Sequence, residues 1–210
     1  MPMIYKPSPK KKGTIILIKK TLEKKINEAT DIIFLTTQEK KFAEEQGLLT
    51  SDVHLTVFET GIISKNSVIE RLDKETEELI AKENEEFLQN SLNHFMQRMN
   101  EFMYVESNSF SILQTDSITL EFDEVFEVYT ALFGLSVQKK YGEAIRKFLD
   151  EHYHSEKMKY SMMFSSGEGL WEINLPLNYI DGFDENFTIL EAYQFLYNLL
   201  FHLVASLETK

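Results

Sequence analysis

Apolar and polar positions alternate with two different periods along this chain, and the switches between them outline its elements. Residues 53–60 (VHLTVFET) set Val53, Leu55 and Val57 against His54, Thr56 and Phe58, the two-residue period of a strand. The same period recurs in KMKYSMMF, with Met158, Tyr160, Met162 and Phe164 in phase, and in LWEINL, with Trp171, Ile173 and Leu175 in phase. SSGEG joins those two runs, so the spacing predicts a β-hairpin over 157–175. Glu168 sits inside that loop and a strand follows it, which makes the glycines a turn rather than a phosphate cradle. SFSILQTDSITLEF, 109–122, predicts one or two strands meeting near Thr115-Asp116.

Helical spacing governs the rest. Residues 15–29 and 36–46 predict short helices, the second closed by Gly47. The longest prediction is a helix over 68–103, with a break around Asn90. Ser67 and Glu70 match a capping box, and Ile69, Leu72, Leu79, Ile80, Phe87 and Leu88 begin a run at helical intervals. DEVFEVYTALFG, 123–134, predicts a helix ending at Gly134, and 136–153 another, capped by Ser136. The last helix, 189–207, opens with a second capping pair, Thr188 and Glu191, and is apolar nearly all round. Its polar residues Glu191, Gln194, Asn198 and His202 fall on one narrow stripe, too many for a bilayer span, so it belongs in the core.

These elements imply an α+β fold: an antiparallel sheet with the 157–175 hairpin, packed against the long helix 68–103 and the C-terminal helix 189–207. Residues 1–13, with three prolines and four lysines, predict a flexible basic tail, and 14–210 a single domain.

Charge changes the picture more than composition does. The first 25 residues hold eight Lys against Glu23, a net of +7, whereas the 210-residue chain is −12, which leaves −19 for the remainder. So acidic a body repels nucleic acid and attracts a basic partner. Asp73, Glu77, Glu78 and Glu85 would form an acidic ridge on the predicted long helix and are the candidate partner-binding residues. The chain has no Cys, hence no thiolate ligand or nucleophile, and its longest apolar run near the N-terminus, 15–18, falls short of the roughly 7–15 residues of a signal peptide. Both features point to the cytoplasm, without a membrane partner.

Candidate chemistry is sparse. DEHYHSEK gathers Asp150, Glu151, His152, His154 and Glu156, but the two histidines point apart on a helix, so no metal site is expected. Glu83 lies within the apolar spacing of the long helix, where a carboxylate would pair or shift its pKa. No GxSxG, SxxK, HExxH, GxGxxG or phosphate-loop pattern occurs, and no cofactor is implied.

IERLDKETEELIAKE, VQKKYGEAIRKFL and GEGLWEINLPLNYIDGF carry a resemblance, over residues 66–207, to a poorly characterised family of small bacterial proteins, some labelled branched-chain amino acid aminotransferase. The resemblance implies a bacterial cytosolic setting. It supplies no catalytic residue, since a pyridoxal-phosphate enzyme needs a glycine-rich phosphate cup that is not visible here. The sequence therefore favours a non-catalytic, acidic interaction protein, immunity- or antitoxin-like, that covers a basic partner. The alternative is an enzyme or small-ligand binder with a pocket near Glu191, Gln194, Asn198 and His202.

Overall fold

The computed structural model describes residues 18–29, 32–49, 54–58, 62–63 and 66–208. The predicted tail 1–13 lies outside them, as do residues 15–17 of the first predicted helix.

Helix α1 (Ile18–Glu28) buries Ile18, Leu22 and Ile26, one residue per turn. Strand β1 (Ile32–Leu35), helix α2 (Thr37–Glu45) and strand β2 (His54–Val57) then form a small parallel unit, with Ile32 paired to His54 and Leu35 to Val57. Thr36 begins α2 with a reciprocal cap: its hydroxyl accepts from the Glu39 amide (3.2 Å), and its own amide donates to the Glu39 carboxylate (2.8 Å). Gly47 follows at φ +66, as its place after the helix requires.

The main body is a seven-stranded antiparallel sheet in the order β4-β3-β5-β6-β7-β9-β8. Its strands are β3 (Val68–Asp73), β4 (Leu79–Lys82), β5 (Glu101–Glu106), β6 (Ser117–Asp123), β7 (Val128–Leu135), β8 (Ser161–Ser165) and β9 (Leu170–Pro176). The register stacks Val105, Ile118, Phe133 and Ile173 in one row, and Met103, Leu120, Ala131 and Leu175 in the next, all buried on one face. Helix α5 (Ile189–Glu208) belongs to the same core, and its fully buried Tyr193 hydroxyl donates to the Met103 and Ile118 carbonyls (3.3 and 3.2 Å). The other face presents Val68, Glu106, Ser161, Met163 and Asn174, all exposed.

The predicted 157–175 hairpin forms as β8–β9, with its first strand beginning at Ser161 rather than at 157. Gly169 takes φ +75 at its turn, and its amide donates to the Ser165 carbonyl at 2.7 Å. Helix α4 (Gly142–His152) follows a 3-10 turn at Lys139–Tyr141 and is not capped by Ser136, whose amide instead bonds the Gln114 carbonyl. Its first residue, Gly142, lies against the Trp171 ring so closely that a Cβ there would stand 2.4 Å from it.

Three predictions are corrected. The helix over 68–103 does not form: the segment is the β3–β4 hairpin, a 3-10 turn at Phe87–Gln89, a five-residue helix α3 (Asn93–Gln97) and strand β5. The helix over 123–134 is a turn followed by the interior strand β7. SFSIL is a 3-10 turn (Asn108–Leu113) closed by Gln114 at φ +59, and the strand begins only at Ser117. The first two errors share one cause. Asp73 Oδ1 accepts from the Glu75 and Thr76 amides (2.9 and 3.0 Å), and Asp123 Oδ1 from those of Val125 and Phe126 (2.9 and 3.0 Å). Four residues on from each aspartate, Glu77 and Glu127 adopt left-handed backbone (φ +58 and +54). Glutamate in that region costs about 1–2 kcal/mol and gives no local turn signal. Pairing with distant strands outweighs it.

Candidate functional site

The β3–β4 and β6–β7 turns stand at the same end of the sheet. Asp73 pairs with Glu101 at the start of β5, and the next β5 residue, Phe102, pairs with Glu121 near the end of β6. One strand, β5, separates the two tips, and Lys74 bridges it: its ammonium donates to the Phe122 carbonyl (2.6 Å) and lies 3.4 Å from the Glu121 carboxylate. Glu75, Glu77, Glu78, Glu124 and Glu127 are exposed on the tips, with Asp73, Glu121 and Asp123 half-buried at their bases. Among them rise exposed apolar side chains, Val125 (78% exposed), Phe126 (58%), Leu79 and Ile80. The Thr76 and Glu75 amides hold the Asp73 carboxyl below its ordinary pKa, so it stays charged. Burial raises that of Glu121, against the pull of Lys74.

Asp73, Glu77 and Glu78 thus do share a surface, on a hairpin tip rather than a helix. Glu85 does not join them: it follows β4, at the far end of the hairpin, before the Phe87–Gln89 turn. Glu83 is not in an apolar stripe. It accepts from Arg71 Nε (2.7 Å), while Arg71 also donates to Glu101 (2.7 Å) and lies over the Phe87 ring. His94 Nε2 meets the same Glu101 carboxylate at 3.2 Å. This ion cluster ties β3, β5, α3 and the Phe87 turn together.

The polar stripe of α5 runs along its outer edge. The Glu191 carboxylate accepts from the Thr188 amide (2.7 Å) and closes the cap; His202 Nε2 meets Gln38 Oε1 at 3.1 Å; Gln194 and Asn198 are half-buried. None of the four lines either cavity described below. His154 bonds Asp181 (2.9 Å) and His152 the Phe148 carbonyl (2.8 Å), and no group of three metal-ligating side chains occurs among the described residues.

Two cavities lie elsewhere. The first, about 310 Å³, opens where β1 ends, between α1, α2 and α5. Phe34 and Phe58 meet edge to face at its mouth (6.0 Å between ring centres). Glu39, 2% exposed, lies inside and is fully engaged: it accepts from Lys25 Nζ (3.0 and 3.1 Å), the Tyr197 hydroxyl (3.0 Å) and the Thr36 amide. The second, about 430 Å³, is a groove beside the β6–β7 tip. It draws on four strands, which no single stretch of sequence could signal.

No family model matches this chain, and no curated protein or solved structure matches it. Among the described residues no helix is long and apolar enough to cross a membrane.

Proposed function

We propose that this protein is a non-catalytic interaction module that grips a basic macromolecular partner with its two acidic hairpin tips. The observation that carries the reading is the pairing of charge and apolar surface at one end of the sheet. Five exposed glutamates share that end with the exposed Val125 and Phe126, and Lys74 joins the two tips. Rim charges of one sign speed encounter with an oppositely charged surface, and exposed aromatic or aliphatic residues at their centre supply contact that survives salt. Immunity and antitoxin-like proteins, which cover a basic partner, are the class this favours. The −19 body supports the same sign of partner, and a cytoplasmic setting accords with the absence of Cys.

The test is affinity capture from native lysate, followed by association kinetics with what is captured. A basic partner is expected, with association slowed by Glu77→Lys together with Glu124→Lys and by rising salt, and with dissociation hastened by Phe126→Ser. An acidic partner, or binding indifferent to salt and to these changes, rejects the reading.

A further inference from the structure

Beside the β6–β7 tip, the solvent face of the sheet is hollowed into the groove of about 430 Å³, within the roughly 300–1,000 Å³ of small-ligand sites. Its floor crosses four strands. Glu121 on β6 stands opposite Thr130 on β7, and Thr130 opposite Pro176 on β9. In the next row, Leu132 faces Asn174, and Asn174 faces Ser161 on β8. Charge is divided across the groove. Glu121 and Asp123 line the β6 side, while Lys157 and Lys159 line it from the segment entering β8. Three strand spacings, roughly 14 Å, separate β6 from β8.

The floor has an unmet polar group. Thr130 is only 7% exposed, and its Oγ1 is buried without a hydrogen-bond partner among the described residues. Buried hydroxyls are nearly always bonded. The neighbour across β9 is Pro176, which has no N–H to offer. A hydroxyl both donates and accepts, as recognition of a peptide group requires. Beside it, Asn174 and Ser161 are exposed, and Phe126 and Leu132 give apolar wall.

We infer that the groove binds a short zwitterionic peptide of two or three residues. Its ammonium lies toward Glu121 and Asp123, its carboxylate toward Lys157 and Lys159, and one of its peptide groups on Thr130 Oγ1. An extended tripeptide places its charged ends on the order of 10 Å apart, and the lysine side chains cover the remaining distance. A single amino acid is too short to reach both sides. Such binding does not require the basic partner, so either reading can fail without the other.

Titration calorimetry of the full chain with Ala-Phe-Ala tests this, against its N-acetylated form, its C-amidated form and free phenylalanine. The free tripeptide binds, and blocking either end or shortening to phenylalanine weakens binding about tenfold or more. Thr130→Val, close in shape, keeps or raises the melting temperature and weakens the tripeptide about tenfold. Lys157→Gln with Lys159→Gln, both exposed positions, makes the free and amidated peptides bind alike. Failure of wild type to bind the free tripeptide, equal binding of the blocked forms, or wild-type affinity in Thr130→Val overturns the inference.

Discussion

Lys74 and Phe122, 48 positions apart, are joined by a 2.6 Å hydrogen bond from the ammonium to the backbone carbonyl, which fastens one hairpin tip to the next. The same ammonium is the counter-charge of Glu121. Lys74→Met should therefore destabilise the protein by about 1–3 kcal/mol at neutral pH, the cost of leaving a half-buried carboxylate unmatched. The pH dependence fixes the cause. Burial already raises the Glu121 pKa above its ordinary 4.5, so the folded state holds that proton more tightly than the unfolded chain. The stability this contributes is complete below 4.5 and is lost as pH rises through the folded value. Without Lys74 the folded value rises further. Chemical denaturation of the variant and wild type should then differ most near neutrality and least in acid, where only the lost bond to the Phe122 carbonyl remains; a difference constant with pH rejects the account.

Glycine substitutions separate space from conformation. Gly142→Ala drives a methyl into the Trp171 ring, and overpacking of this kind costs about 1–3 kcal/mol despite alanine's better helix propensity. Gly169→Ala costs about 1 kcal/mol through its positive φ alone, with no atom of the described residues within 4 Å of the new methyl. Gly167→Ala has open space and no positive φ, and should be nearly neutral. Thermal melts of the three variants give this order or refute it.

Tyr197→Phe removes one of the donors to the buried Glu39 carboxylate. Hydrogen bonds to charged groups contribute about 1.5–3 kcal/mol, and a loss of that size is expected in urea unfolding. A change below about 0.5 kcal/mol, the range of ordinary surface substitutions, would mean that water replaces the hydroxyl at no cost.

His202 carries a pKa below its ordinary 6.5, first because of burial and then because His152 and Lys41 repel its proton. A base depressed in the folded state favours folding fully above 6.5, and that contribution falls as pH drops below it. His202→Gln should flatten the decline of melting temperature between pH 7.5 and 5.5. An unchanged slope would place the decline in other groups.

What the sequence disclosed followed the range over which each signal acts. Gly47 marks the end of α2 because caps are local, and Gly169 marks the β8–β9 turn because glycine is the usual residue for a positive φ. The tips at Asp73 and Asp123 were hidden because Glu77 and Glu127 hold the left-handed positions that glycine or asparagine would advertise. VYTALFGL in β7 is buried on both faces, so its largely apolar run, broken only by Thr130 and Gly134, matches a core helix as well as a strand. The acidity of 73–78 was legible, whereas its meeting with Glu124, Val125 and Phe126 depends on strand order. The same holds for the Glu121, Thr130, Asn174 and Ser161 rows of the groove.

The position of α5 in the chain has a consequence for synthesis. Every strand of the sheet precedes it, so the ribosome releases Met103, Ile118, Leu120 and Ile173 before the helix that shields them. From Pro176 to Glu208 takes on the order of a few seconds at about 5–20 residues per second. Through that interval the nascent sheet has one greasy side in contact with water or with a chaperone. A stop codon anywhere within α5 would make that exposure permanent, and the product would be cleared or aggregate rather than persist as a weakened fold.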